Sequence, residues 1–286
     1  MISGFWTRFL VAPGLWLLAL FVLPLTLVLA LSFGSVDEFG RAVYDSPFAP
    51  NALDNYSDAF DPIYLPSLVR SVTYALATTA LCLAIGYPIA YYIARFGGRF
   101  KYLLIGLLVL PFFVNYLVRT YAWVALLADE GLVNSFLADT GVSESGVQMI
   151  NTPFAVIGGL VYGYLVFMIL PVFASLERMD PAVIEAGKDL YGNKLQTFIH
   201  VTLPQTKQGI LAGSVLVFLP TVGDFVSASL LGGPDTYMVG NLIQDQFFAA
   251  NNWPFGAALT VIMMAFLLVW MIGYLRTAAR DARAMT

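Results

Sequence analysis

The chain has 286 residues, of which 59% are hydrophobic and 11% charged, and its formal net charge is −4 at pH 7. Soluble domains carry about 25% charged residues, so this composition excludes an ordinary soluble domain and indicates an integral membrane protein. Cys82 is the only cysteine and His200 the only histidine, which excludes an intrachain disulfide, a cysteine zinc cluster and histidine-pair catalysis.

Six apolar stretches are long enough to cross a bilayer, for which a helix needs about 20 residues. They predict spans over residues 9–32, 66–94, 102–128, 153–175, 210–231 and 255–276. The first apolar run is longer than the roughly 7–15 residues of a signal-peptide core, so we expect an uncleaved helix. The sequence therefore predicts an all-α integral membrane protein with six transmembrane helices in one domain, residues 1–286.

Basic residues are concentrated on one side of this arrangement, and Lys and Arg mark the cytoplasmic side of a membrane protein. Only Arg41 and Arg70 fall in outer segments, and Arg119 falls within the third span. The inner segments and ends hold Arg8, Arg95, Arg99, Lys101, Arg178, Lys188, Lys194, Lys207, Arg276, Arg280 and Arg283. We therefore expect both termini in the cytoplasm.

The segments on the outer side are predicted to contain short helices. Residues 33–66 are acidic and include "LDNYSDAF", which favours a helical piece; their charge indicates either a solvated surface or attraction of a cationic solute. Residues 232–254 carry apolar side chains at helix-like spacing, which predicts a short helix at the outer surface. Within the fourth span, Gly158, Gly159 and Gly163 predict close packing of helices.

The polar cytoplasmic segment at residues 176–209 has clear helix signals. Asp180 before Pro181 is a typical N-cap followed by a first-turn proline. Gly192 favours a left-handed stop, and Asn193 favours the start of a second helix. We therefore expect two short helices joined by a sharp corner.

Two interpretations of this segment are open. Ala182, Ala186 and Gly187 form a smooth face on the first helix that suits close approach by another protein. The alternative is a loop that folds back against its own helices. The second helix is expected to end at Leu203-Pro204, before the fifth span.

The stretch "EAGKDLYGNKLQTFIHVTLPQ", residues 185–205, resembles the EAA motif of permease subunits from binding-protein-dependent ABC importers. In that family the segment is the coupling helix, which enters a cleft of the cytoplasmic ATPase. The sequence departs from the motif at Gly187 and Tyr191, where alanine and glycine are usual. The matching positions are Glu185, Ala186, Asp189, Leu190, Phe198, Leu203 and Pro204. The resemblance implies that ATPase coupling depends on Glu185, Ala186, Gly187, Asp189, Leu190, Gly192, Leu203 and Pro204.

Two further stretches, "LPFFVNYLVRTYAWVALL" (110–127) and "GDFVSASLLGGPDTYMVGNLIQDQF" (223–247), followed by "NNWPFGAAL", are similar to permeases of spermidine/putrescine importers of the PotB/PotH type. The resemblance implies a type I importer fold, with a MetI-like core of five helices plus an N-terminal helix. It also implies a bacterial cytoplasmic membrane location, a second homologous permease and an extracytoplasmic polyamine-binding protein. An ATPase dimer would carry ATP and Mg.

Ionisable residues inside a membrane are costly and mark functional positions, and here they are Arg119 and Asp224. Asp224 follows a predicted helix break at Pro220-x-x-Gly223, where freed carbonyls can line a cavity. Both charges fall in the outer half of the membrane, so we expect them to pair in at least one state; the alternative is that each meets other groups separately. Aromatic faces, including Tyr162 and Tyr164, attract ammonium groups, although Tyr and Trp also form interfacial belts. The candidate substrate path is Asp224, Arg119, Asn115, Tyr116, Tyr121 and Trp123.

The predicted function is that of the transmembrane permease subunit of an ATP-driven polyamine importer. No GxxxxGK[ST] stretch occurs, so we expect no nucleotide site, no bound cofactor or metal and no catalytic residue in this chain, and no nucleic-acid partner. Three alternatives remain: a secondary transporter, a membrane enzyme, and the same permease role for an opine, phosphonate or iron chelate.

Overall fold

The structure is a computed structural model that describes residues 3–37, 41–44, 47–48, 50–141 and 147–284. These residues are mostly helical. One short hairpin is present, in which Ser35–Val36 (β1) pairs antiparallel with Ala42–Val43 (β2), with Ser35 opposite Val43. The fold class predicted from the apolar composition, a helical membrane protein, is confirmed.

The α-helices follow one another along the chain, with the longest connection between α1 and α2. In order they are Ser3–Leu31 (α1), Asp54–Asp58 (α2), Leu65–Phe96 (α3), Lys101–Val109 (α4), Tyr116–Leu127 (α5), Leu132–Asp139 (α6), Pro153–Arg178 (α7), Pro181–Tyr191 (α8), Lys194–Thr197 (α9), Leu203–Gln205 (α10), Lys207–Val222 (α11), Val226–Leu231 (α12), Val239–Phe248 (α13) and Trp253–Ala284 (α14). Short 3-10 helices occupy Gly98–Phe100, Leu110–Phe113 and Pro234–Thr236. Helices α2 and α13 are the two short helices expected in the outer segments.

Within the described residues, four helices are long and apolar enough to cross a membrane: Pro13–Leu31 in α1, α3, α7, and Trp253–Arg276 in α14. They overlap the first, second, fourth and sixth predicted spans. The segments Gly98–Phe113 and Tyr116–Asp139 pass the same test only as a pair bent by 88°. Helix α11 lies in the fifth predicted span and has 16 residues, slightly fewer than the usual 17–25.

The third predicted span, 102–128, is not one continuous helix. The chain is extended at Val114, where ψ is 138°, and Asn115 then caps α5 by accepting a hydrogen bond from the Leu117 amide at 2.9 Å. Pro111 has no N–H to donate and Asn is a strong N-cap, so a new helix starts here despite the uniform apolar character. In the fifth predicted span, α11 stops at Val222 and α12 begins at Val226, which confirms the predicted break.

The polar segment at residues 176–209 begins as its sequence signals predict. The Asp180 carboxylate accepts a hydrogen bond from the Ala182 amide at 2.9 Å and caps α8. Gly192 ends α8 in the left-handed region at φ +62°, where residues with a Cβ are strained. The Asn193 side chain caps α9 by accepting from the Leu195 amide at 3.0 Å. The predicted pair of helices with a sharp corner is confirmed.

The second helix was predicted to end at Leu203-Pro204, and the structure agrees to within one residue, although the turns before this end are not all α-helical. A π-helical stretch, Phe198–Thr202, follows α9 and leads directly into α10, so helical structure continues as far as Gln205. Pro204 cannot donate to a carbonyl four residues earlier, and the wider π turn lets the chain continue past it. Thr206 then joins this stretch to α11.

Contacts divide the chain into two compact units. The first comprises residues up to Pro66 together with Leu242–Trp270. In it, the Asn55 amide nitrogen donates to the carbonyls of Ser32 and Gly34 at 3.2 and 2.7 Å. The Ser32 and Tyr56 hydroxyls are hydrogen-bonded at 2.6 Å. These bonds attach α2 to the end of α1.

The second unit comprises Ser67–Asn241 and the chain from Met271 onward. Its core lies where α3, α7 and α11 pack together, around Cys82, Met168, Val172 and Val217. A second cluster joins α7 to α12 and the end of α5, around Leu160, Leu231 and Leu127 among others. These two clusters position the break between α11 and α12.

Glycines permit the closest helix contacts in this unit. A Cβ on Gly159 would overlap the Leu231 side chain, and one on Gly163 would lie 3.1 Å from the Tyr116 ring. Gly158 has open space around it. The close packing predicted for the fourth span is therefore correct for two of its three glycines.

We predict that Gly209→Ala destabilises the protein, because the added Cβ would lie 2.5 Å from the Pro171 carbonyl oxygen on α7. Overpacking of this kind costs about 1–3 kcal/mol. Gly158→Ala is the matched control and should melt at or slightly above the wild-type temperature, since alanine is the better helix former. Thermal unfolding of the full chain in detergent measures both, and equal melting temperatures for the two variants would contradict the packing described.

Candidate functional site

Asp224 lies in the break between α11 and α12 and is buried, with 6% of its surface exposed. A carboxylate in a membrane-spanning region is costly unless hydrogen bonds or a counter-charge compensate for its lost hydration. The helix break frees backbone groups at the same position. The break therefore places a buried carboxylate and free backbone polar groups together in an otherwise apolar region.

Three donors hold the Asp224 carboxylate. Its Oδ2 accepts hydrogen bonds from the hydroxyls of Tyr116 on α5, at 2.5 Å, and Tyr164 on α7, at 2.8 Å. Its Oδ1 accepts from the Ser227 amide at 2.8 Å, in the first turn of α12. The Tyr116 and Ser227 hydroxyls are themselves hydrogen-bonded at 2.7 Å. One side chain thus connects three helices.

Arg119 does not pair with Asp224 in this structure. Its guanidinium carbon instead lies over three aromatic rings, 5.3 Å from the centroid of Phe112, 5.5 Å from that of Tyr116 and 5.8 Å from that of Tyr162. Its Nε is buried and has no hydrogen-bond partner. The carboxylate already has its donors, and the π faces provide the arginine with an alternative attraction.

Tyr116 connects the two charged side chains. Its ring face is turned towards Arg119, while its hydroxyl donates to Asp224. The Tyr116 and Tyr164 ring centroids are 6.4 Å apart. A shift of Tyr116 would therefore change the surroundings of both Arg119 and Asp224, although these two side chains do not pair.

The structure brings together some of the predicted path residues and not others. Asp224, Tyr116 and Arg119 form one cluster, and Trp123 joins it through a ring contact with Tyr162 at 5.7 Å. Asn115 is exposed and serves as the cap of α5, and Tyr121 is exposed, with 59% of its surface accessible.

Two residues of the cluster were not assigned to the substrate path from sequence. Tyr164 was seen only as one more aromatic residue, and nothing in the sequence places Phe112 under Arg119. The spacings from Phe112 to Tyr116 and on to Arg119 are four and three residues, which on one continuous helix would place all three on the same face. The break at Asn115 interrupts that helix, so the spacing alone does not predict their contact.

The residues of the EAA-like segment fall on two different faces. Glu185, Ala186, Asp189 and Leu190 are exposed, and 76% of the Leu190 surface is accessible. Around the same corner, 62% of the Leu195 surface is accessible. Exposed apolar side chains beside charged ones are typical of a protein-binding surface.

Gly187 faces the interior of the segment. A Cβ there would lie 2.9 Å from the Val201 side chain, and the Thr197 hydroxyl donates to the Gly187 carbonyl at 3.2 Å. Gly192 forms the corner itself, and Leu203 and Pro204 lie in the continuing helix. Beside the corner, the Tyr191 ring stacks on His200 with centroids 5.1 Å apart. The smooth face expected on α8 is thus divided, with Gly187 turned inward and Ala186 outward.

Residues 86–280 match the family model described as "Binding-protein-dependent transport system inner membrane component". This match covers the Asp224 cluster and the whole of α8–α10. The chain belongs to this family. It is therefore a multi-pass permease of the inner membrane, as the EAA-like stretch indicated.

Relatives of this permease cover nearly its whole length. It is 40% identical over 261 residues to the spermidine/putrescine transport system permease protein PotB of Escherichia coli K12, covering 89% of this chain and 92% of that one. It is 32% identical over 306 residues to the inner membrane ABC transporter permease protein YdcU of the same organism, covering 98% and 95%.

A solved structure supports the fold of the permease. A chain of a bacterial alginate ABC transporter, in complex with an alginate pentasaccharide-bound periplasmic protein, matches with a TM-score of 0.71 and 18% identity over 98% of this chain and 96% of that one. At this identity the likeness concerns the fold alone. The predicted type I importer fold is confirmed. Among the described residues of the permease, no group of three or more His, Cys, Asp or Glu side chains could hold a metal ion.

Proposed function

We propose that this permease forms the translocation path of an ATP-driven importer for polyamines such as spermidine and putrescine. The observation that carries the proposal is the buried Asp224 carboxylate beside a set of aromatic faces, which provides a negative charge and π surfaces in one place. The name of the PotB relative, at 40% identity, supports the same solute class.

The chemistry of a polyamine fits this cluster. A polyamine alternates ammonium groups with short apolar linkers, so it can place a cation on a carboxylate while its methylenes contact rings. Cation–π contacts contribute about 0.5–2 kcal/mol each, and a charge-assisted hydrogen bond about 1.5–3 kcal/mol. Such a solute gains from both the carboxylate and the rings, whereas an anionic solute would be repelled by Asp224.

Arg119 acts as an internal substitute for the solute in this proposal. Its guanidinium already occupies the faces of Phe112, Tyr116 and Tyr162, which supports their suitability for a cation. An arriving ammonium group competes for the same rings and for Asp224. Arg119 then moves away from the rings. Because Tyr116 contacts both Arg119 and Asp224, this movement changes the hydrogen bond from the Tyr116 hydroxyl to the carboxylate.

The orientation follows from the distribution of basic residues. The hairpin between α3 and α4, with Arg95, Arg99 and Lys101, lies in the cytoplasm together with α8–α10. Both termini of the chain are then cytoplasmic, and α2 and α13 face the exterior.

Helix α8 couples the permease to ATP hydrolysis in a separate subunit. The exposed acidic residues Glu185 and Asp189 and the exposed Leu190 form the surface that docks in the ATPase, which binds ATP and Mg. Gly187 keeps α8 close to α9 and so fixes the angle of that surface. A second homologous permease completes the path, and an extracytoplasmic polyamine-binding protein delivers the solute.

The solute class is tested with the assembled importer in proteoliposomes. We expect ATP-driven uptake of spermidine or putrescine when the matching binding protein is supplied, because the cluster favours a flexible cation. An opine, a phosphonate and an iron chelate serve as comparison solutes. Uptake of one of these solutes, with no polyamine uptake, would overturn the polyamine proposal while leaving the permease role in place.

The docking surface is tested by Glu185→Lys and Leu190→Asp in the full chain. Changing a hot-spot contact at the centre of an interface costs at least about 2 kcal/mol, so each variant should lose most of its ATPase in co-purification while still inserting in the membrane. Glu130→Lys makes the same charge reversal at an exposed position after α5 and should keep the ATPase. Normal co-purification with Leu190→Asp and Glu185→Lys would contradict the assigned surface.

A further inference from the structure

An apolar groove runs between α3 and α4 in the second unit. Its volume is about 650 Å³, and its walls include Pro88 and Tyr92 from α3 and Leu104, Leu107 and Leu108 from α4. This volume is within the roughly 300–1,000 Å³ of sites that bind small molecules. The groove is far too apolar for a polyamine, and none of its lining residues belongs to the Asp224 cluster.

The groove follows the direction of the two helices. The wall extends from Pro88 to Ile93, five residue steps along α3, or about 8 Å along a helix axis at 1.5 Å per residue. On α4 the wall extends from Leu104 to Leu108. An apolar channel that runs along helices at the membrane fits a hydrocarbon chain.

The end of the groove towards the α3–α4 connection is strongly basic. Arg95 lies three residues beyond Tyr92 on the same stripe of α3, and Arg99 and Lys101 follow in the connection. The Lys101 ammonium is paired with Glu177 at 2.6 Å. The Arg99 guanidinium lies over the Phe100 ring, 4.7 Å from its centroid, and no carboxylate of the described residues pairs with it.

Arg95 has donors without acceptors. Its Nε and Nη2 are buried and make no hydrogen bond. Buried donors without partners are unusual and costly, and an arginine near a helix end can extend its side chain towards the headgroup layer of a bilayer. Neither nitrogen is accessible in this structure, so the Arg95 side chain must extend towards the mouth of the groove before a phosphate there can provide the missing acceptor.

We propose that the groove between α3 and α4 binds one anionic phospholipid, with an acyl chain against Pro88, Tyr92 and Leu107 and the phosphate at Arg95 and Arg99. Basic pockets between transmembrane helices on the cytoplasmic side are suited to such headgroups. The leaflet concerned depends on the proposed orientation, which places the α3–α4 connection in the cytoplasm. A neutral phospholipid would fill the same channel without satisfying the arginines.

The test is native mass spectrometry of the full chain in detergent, titrated with phosphatidylglycerol and with phosphatidylcholine carrying the same acyl chains. We expect phosphatidylglycerol to bind at least roughly tenfold more tightly, as a charge-assisted hydrogen bond requires. Arg95→Gln should reduce that preference to near equality. Leu107→Trp should weaken both lipids, because the larger ring fills the groove.

Matched controls separate the groove from general effects. Arg276→Gln removes an exposed arginine from α14, and Leu268→Trp enlarges an exposed apolar residue there; both should bind lipid like the wild type. Equal thermal stability of the variants would show that each is folded. Equal affinity for the two lipids, or the same loss with Arg276→Gln as with Arg95→Gln, would overturn the proposal.

Assembly with the second permease provides an independent check. If phosphatidylglycerol stays bound in the assembled importer, a lipid occupies the groove; if assembly displaces it, a helix of the second permease covers the groove and the proposal is wrong. No solute is used in these measurements. A negative result for the lipid therefore leaves the transport proposal unaffected. A failure of polyamine transport likewise leaves the lipid proposal unaffected.

Discussion

The need to keep one carboxylate buried among apolar helices determines how this permease is built. Asp224 can remain there because Tyr116, Tyr164 and the Ser227 amide all donate to it. Each donor comes from a different helix, so the same bonds that stabilise the charge also fix α5, α7 and α12 relative to one another. Both breaks, before α5 and before α12, place their helices so that this contact is possible.

Local signals in the sequence predicted local structure well. The cap at Asp180, the left-handed turn at Gly192 and the break after Val222 each depend on residues adjacent in the chain, and each prediction is confirmed. The break at Asn115 was missed because the surrounding run is uniformly apolar, and hydropathy cannot distinguish one long helix from two short ones. The π-helical stretch Phe198–Thr202 was not predicted, because a π turn leaves no clear compositional signal.

Tertiary contacts were the main part of the site that the sequence could not predict. Arg119 and Asp224 were correctly selected as buried charges, since ionisable residues are rare in such segments. Their partners depend on which helix faces which, so in this structure Arg119 lies on aromatic rings, and its pairing with Asp224 in another state stays a prediction. Gly187 shows the same limit, because its spacing on α8 suggested an outer face and its contact with Val201 places it inside.

The most direct test of the central claim is spermidine uptake by the assembled importer carrying Asp224→Asn. Asparagine keeps the shape of the side chain and removes its charge, so we predict normal assembly with the ATPase and uptake reduced at least roughly tenfold. Asp235→Asn, at an exposed position, is the control and should transport normally. Full uptake by Asp224→Asn would contradict the claim that this carboxylate recognises the solute's charge.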